Sequence, residues 1–195
     1  MKNNKIWLFL KPIVVLTVIA AVMAGLLGGT NLLTKDKIAE LAEANETAAV
    51  EKVIKAEKYE NGKIDYNGSE YPYFRALNGT ETVGFAFSLS ANGYGGAVKT
   101  VVGVDVNGKI TAVEITDVSN ETPGLGQNAT RADFTNRFKE KSEALTVVKS
   151  GAKGNEIQAV TGATITSKAV TTTVNIALEL FAEITKEGGK YEKRR

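Results

Sequence analysis

The 195-residue chain contains no cysteine and no histidine. Zinc, iron–sulfur and haem centres draw mostly on those two side chains, so resident metals of these kinds are disfavoured. A Ser-His-Asp or Cys-His nucleophile is excluded outright. If the chain does redox chemistry, its cofactor is organic. The lack of thiols also suits a domain on the oxidising side of a membrane. Proline occurs three times and tryptophan once. A basic domain is missing too. The net charge is +2, and Lys2, Lys5 and Lys11 lie ahead of any acid, so the other 21 basic residues face all 22 acidic ones. Nucleic acid is therefore not an expected partner.

What the chain does have is a long uncharged run, Pro12 to Thr34. As a helix it would span about 34 Å, enough for a hydrocarbon core of about 30 Å. Pro12 is expected in its first turn, where a missing N–H costs little. Three lysines precede the run, while Lys35 and Lys37 after it are diluted by Asp36 and Glu40. The expectation is a single-pass anchor in the cell membrane, with a cytoplasmic N-terminus (1–11), a span (12–34) and the remainder outside. A cleaved signal peptide is the alternative, and the run is long for one.

Beyond the run, a juxtamembrane helix capped by Thr34 is expected over 35–60, followed by turn-rich segments at Asn61 and Asn67. Alternation of Val83, Phe85, Phe87 and Leu89 predicts a strand over 82–90. Val98, Thr100, Val102, Val104 and Val106 share a strand face, and Asn107-Gly108 predicts a hairpin to a return strand over 110–115. A short helix is expected near 131–140 and strands at 145–148 and 157–160. A helix over 167–187 presents Val170, Val174, Ala177, Leu178, Phe181 and Ile184 on one face and ends at Gly188-Gly189, before a polar tail over 190–195. The fold class is α+β: one N-terminal transmembrane helix, then one mostly antiparallel-sheet domain over 61–189 with flanking helices.

Three segments carry candidate chemistry. In "TGATITS", Thr161 to Ser167, hydroxyls surround Gly162 and Ala163 at the start of the last helix. One reading makes Thr166 or Ser167 simply the N-cap of that helix. The same helix start also suits a phosphate, with small residues giving access and threonine hydroxyls as donors or ester-forming groups. "ETPGLGQNA" contains Gly124-Leu125-Gly126-x-x-Ala129, a match to a dinucleotide-binding pattern that should directly follow a strand. Here "TDVSNETP" intervenes. "NGYGG", Asn92 to Gly96, reads as a flexible connection, or as glycines beside a ring-stacking Tyr94.

Together, "GYGG" at 93–96, "ETPGLG" at 121–126 and "TGATITS" at 161–167, behind one anchor helix, resemble the family of Rnf-complex G subunits. This family shares an FMN-binding domain with the C subunit of the sodium-translocating NADH–quinone reductase. The short chain and "TGATITSKAV" favour the Rnf type. The resemblance implies FMN, held covalently by a phosphoester to Thr164 that a flavin transferase forms outside the membrane. It also implies an electron-carrier role within an ion-translocating ferredoxin–NAD oxidoreductase, beside other membrane subunits. The cofactor site it implies comprises Thr164 with Thr161, Gly162, Ala163, Thr166 and Ser167; Tyr94, Gly95 and Gly96; and Glu121, Thr122, Gly124 and Leu125. Glu121 either tunes the flavin or orders its loop. No catalytic residue or metal ligand is expected. In place of the aspartate common six residues before the modified threonine, this chain has Gln158. A membrane-anchored binding module without redox chemistry is the reading from a different class.

Overall fold

A computed structural model of the chain describes the backbone of residues 3–192 and the side chains of Trp7 and of residues 9–186. The expectations for Met1, Lys2 and residues 193–195 lie outside the described residues. The chain divides into two compact units, residues 1–44 and 45–195.

The first unit is the N-terminal part of α1, Asn3–Val53. Its apolar run is long and apolar enough to cross a membrane, with a mean hydropathy of 2.3 in the richest window. None of that window is buried. Two expectations change here. Pro12 lies inside the helix rather than in its first turn, because the helix already begins at Asn3. Thr34 caps nothing: its hydroxyl donates to the Thr30 carbonyl in mid-helix.

The second unit is built on a five-stranded antiparallel sheet in sequence order. Its strands are β1 (Lys58–Tyr66), β2 (Ser69–Asn78), β3 (Glu81–Asn92), β4 (Ala97–Asp105) and β5 (Ile110–Asp117). Asn61, read as part of a turn, instead lies in β1 and pairs with Phe74. The turn falls at Asn67-Gly68, where both residues have positive φ, as a two-residue hairpin requires. The Asn107-Gly108 hairpin forms as expected, but with only Gly108 left-handed. Its N–H donates to the Asp105 carbonyl at 3.0 Å.

The two faces of this sheet differ. Phe85, Phe87, Leu89, Val98, Val102, Val104, Ile110 and Val113 form one buried face. It packs against Val170, Val174, Ala177, Leu180 and Ile184 of α3, Thr164–Glu192. Val106, expected on the same face, lies past the strand end and is exposed. The opposite face carries Ala76, Ala86 and Val101, on which Ala49, Val50, Val53 and Ile54 of the α1 terminus sit. Gly103 admits this close approach, since a Cβ there would overlap the Val53 carbonyl. The same packing ends the helix earlier than expected. Thr111 Oγ1 donates to the Val53 carbonyl and Tyr59 Oη to the Ile54 carbonyl, so the last carbonyls are satisfied by the sheet. The helix read over 35–60 therefore stops at Val53, and the sheet domain begins before residue 61.

The remaining connections carry the site. After β5, two 3-10 segments, Gly126–Thr130 and Asn136–Phe138, flank α2, Ala132–Thr135, where one short helix was expected. Phe134 and Phe138 anchor this stretch in the core, their rings edge to face. β6 (Thr146–Val148) and β7 (Glu156–Gln158) pair in parallel. Asn175 of α3 both accepts from the Leu145 N–H and donates to its carbonyl, at 2.9 Å each, which seats this small sheet. At the far end α3 continues through Gly188-Gly189 to Glu192 instead of stopping there. Glycine permits a left-handed cap but does not compel one.

Candidate functional site: a cleft at the start of α3

β7 delivers the chain to a tight turn, Val160 to Ala163, in which the Ala163 N–H donates to the Val160 carbonyl. Gly162 has φ +76°, a conformation costly for any side chain. α3 then begins at Thr164, three residues earlier than the apolar pattern suggested. Ser167 N–H is the first to bond back, to Ala163 O at 2.9 Å. The N–H groups of Thr164, Ile165 and Thr166 thus have no carbonyl behind them within the helix.

The hydroxyls of this turn divide into two kinds. Ser167 is fully buried; its Oγ accepts from the Val160 N–H at 3.0 Å and donates to the Ala163 carbonyl at 2.9 Å, pinning the turn to the helix. Thr166 is buried and donates to Glu121 Oε2 at 2.6 Å. Neither is the helix N-cap. Thr164 is half-buried, and among the described residues its hydroxyl makes no hydrogen bond.

Glu121 draws the three segments together. It is 3% exposed. Its Oε1 accepts the Gly95 N–H at 2.9 Å while its Oε2 takes the Thr166 hydroxyl. Burial pushes its carboxyl up, but the Thr166 hydroxyl and the peptide N–H groups of Gly95, Tyr94 and Gly96 outweigh that and hold it below the usual carboxylate range. The glycines around it have a steric reason. A Cβ on Gly93 would overlap Glu121 Oε1, one on Gly126 would overlap Oε2, and one on Gly95 would overlap the Asn120 carbonyl. The "GYGG" and "ETPGLG" segments therefore interlock around one carboxylate.

A cleft of about 490 Å3 opens beside this knot. Tyr94, Glu121, Thr122 and Leu125 line one side; Gly162, Thr164, Ile165 and Thr166 line the other. Its volume falls in the range of about 300–1,000 Å3 usual for small-molecule sites. Tyr94 is 72% exposed, and Leu125 and Ile165 are also exposed, although all three offer apolar surface. Ala163 lines the cleft as well. Thr161 is exposed, Gly95 and Gly96 stand behind Tyr94 against Asn120 and Glu121, Ser167 points into the core, and Gly124 (φ +76°) shapes the turn before Leu125. Ile165 also lines the cleft and was not singled out from sequence; Gly126 lines it too, although it was read only within the glycine pattern and the "ETPGLG" motif. Ile165 was detectable in principle, because it is a large apolar residue off the core-facing stripe of α3.

The glycine pattern at 124–129 is not a dinucleotide fingerprint. It follows a loop and opens a five-residue 3-10 segment, with no parallel strand-helix-strand unit around it. The features present do suit FMN. The apolar rim offers surface for a flat ring, and the helix start with the unspent Thr164 hydroxyl offers donors to a phosphate.

An α+β fold with a cleft of this make suits a flavin-binding domain, and the comparisons point to that class. Residues 93–179 match the FMN-binding domain family, and residues 11–53 match the RnfG N-terminal region. The G subunit of the Na(+)-translocating ferredoxin:NAD(+) oxidoreductase complex of Acetobacterium woodii is 39% identical, over 88% of this chain and 91% of that protein. Its counterpart in the proton-translocating ferredoxin:NAD(+) oxidoreductase complex of Clostridium ljungdahlii is 44% identical over 67% of this chain. The alignment spans 65% of that relative's length. The G subunit of the ion-translocating oxidoreductase complex of Escherichia coli K12 is 30% identical over 84% of this chain and 86% of that protein. The solved structure of NqrC from Shewanella oneidensis shares the fold, at 21% identity, 65% coverage of each chain and a TM-score of 0.50. The chain belongs to the family of Rnf-complex G subunits.

Proposed function

We propose that this chain is a membrane-anchored electron carrier of an Rnf-type, ion-translocating ferredoxin–NAD oxidoreductase, and that it holds FMN covalently through a phosphoester to Thr164. The observation that carries this reading is the division of the hydroxyls: those of Thr166 and Ser167 are spent on structure, whereas that of Thr164 is free and lines the cleft. Bound FMN supplies one- and two-electron transfer. The chain's own residues position it. Thr164 would provide the ester oxygen, the N–H groups of the first α3 turn would donate to the phosphate, and Gly162 would keep the approach open. Tyr94, Leu125 and Ile165 offer apolar surface to the ring. No side chain of this site is asked to transfer a proton or attack a substrate.

Anchorage follows from the apolar run of α1. We place residues 12–34 in the membrane, residues 1–11 on the cytoplasmic side, and the sheet domain outside, where a flavin transferase attaches the cofactor. Other membrane subunits of the complex are the partners for electron delivery and ion movement. An uncharged single span provides no ion path of its own.

The test is the intact mass of the protein from its native membranes. A gain equal to FMN less one water, mapping to the peptide that contains Thr164 and absent from Thr164→Ala, is the expected result. An unmodified wild-type mass, from cells that flavinylate other proteins, would sink the covalent assignment.

A further inference from the structure

We propose that Glu121 sets the reduction potential of the bound flavin, by holding a negative charge without a counter-cation in the wall of the cleft. The inference rests on the FMN reading above. Glu121 lines the cleft together with Thr164, so its charge borders the space that the cofactor occupies. Its partners are all neutral: the hydroxyl of Thr166 and the peptide N–H groups of Gly95, Tyr94 and Gly96. Among the described residues, no lysine or arginine forms an ion pair with it. Buried carboxylates are usually paired with a cation, and one satisfied only by dipoles keeps its full charge within the site.

Ordering the loop would not by itself require this charge. A glutamine has the same shape, and its amide can accept from the Gly95 N–H and donate to the Thr166 oxygen. A carboxylate differs from it in one respect, the field it exerts. Each electron that enters the ring adds negative charge until a proton follows. In a partly buried cleft a nearby fixed negative charge raises the energy of the reduced ring more than it would in water. The reduced form is thereby disfavoured and the midpoint potential is lowered. The carboxylate is held by a hydrogen bond on each oxygen, in space that Gly93 and Gly126 leave free by having no side chain. The field is therefore fixed in place.

The experiment compares wild type, Glu121→Gln and Glu121→Asp, each as the full chain purified from membranes of cells containing the flavin transferase. Mass spectrometry first establishes flavin attachment. Dithionite titration against indicator dyes then reads the midpoint potential from the flavin absorbance. The expected result is a positive shift for Glu121→Gln and a smaller one for Glu121→Asp, which keeps the charge but loses reach. Equal potentials for wild type and Glu121→Gln, with flavin attached to both, overturn the inference and leave the FMN reading standing. A wild-type protein without flavin removes the FMN reading itself. If Glu121→Gln carries no flavin, Glu121→Asp decides. A small positive shift supports the charge, since the carboxylate is drawn back by one methylene; a potential equal to that of wild type, or a large positive shift in a protein that still holds its charge, overturns it.

Discussion

The first turn of α3 has two sides, and they are built for different tasks. On the inner side Thr166 and Ser167 are buried, each hydroxyl bound by named partners. On the outer side Thr164 and Ile165 face a cleft, with a hydroxyl that holds nothing and an apolar side chain left in solvent. Residues of the same chemical type, two positions apart, thus differ in whether the fold has already used them. Stability should depend on the inner side and covalent attachment of the cofactor on the outer.

The largest expected effect separates the two sides completely. Thr164→Ala removes all covalent flavin, read by mass, while its thermal unfolding midpoint stays close to that of the unmodified wild-type protein, because no hydrogen bond is lost. On the inner side, Glu121→Ala strands the Thr166 hydroxyl and the Gly95 N–H. A destabilisation of about 3 kcal/mol is expected in urea unfolding, with flavin attachment reduced as the turn loosens. Thr166→Val keeps the shape but deletes the hydrogen bond to a charged acceptor, at about 2 kcal/mol. Ser167→Ala, which cuts two neutral bonds at roughly 0.5–1 kcal/mol each, should cost about 1–2 kcal/mol and leave the mass gain of the flavin in place.

Acid sharpens the same contrast. The Glu121 carboxyl titrates below its ordinary range in the folded protein, so the unfolded chain binds its proton first as pH falls. Its stabilisation is complete above the unfolded value, near 4.3, and is lost as pH drops through the lower folded one. Urea unfolding at pH 6 and at pH 3 should therefore show a smaller acid loss in Glu121→Gln than in wild type. An equal loss in both would mean that acid instability arises elsewhere, for example at Asp117, whose carboxyl the N–H and hydroxyl of Ser119 also hold low.

Much of the scaffold was legible because its signals are local. Alternating Phe85, Phe87 and Leu89 can bury one face only as a strand, and Asn107-Gly108 can reverse the chain within a few residues. Most of the misreadings concern where elements begin and end, which side-chain partners outside the periodic pattern decide. The α1 end depends on Thr111 and Tyr59, which take its last carbonyls. The start of α3 depends on Ser167 holding Val160 and Ala163, so a hydroxyl that looked like a cap lies within the helix. β1 was hidden because Asn61 and Gly62 are poor strand formers, and pairing with β2 overrides that local preference.

Residue order alone was enough to establish an apolar N-terminal run, an antiparallel α+β domain, a chain without metal-binding thiols or imidazoles, and three ordered motifs that identify the family. The first three follow from composition, periodicity and short-range pattern, and the family from the resemblance of its motifs; none of them needs knowledge of what lies across the fold. Which hydroxyl stays free emerges only once the chain is folded. Thr164 and Thr166 have equivalent local signals, and only the arrival of Glu121 from 45 residues away, through a loop whose glycines clear space for its carboxylate, commits one of them and spares the other.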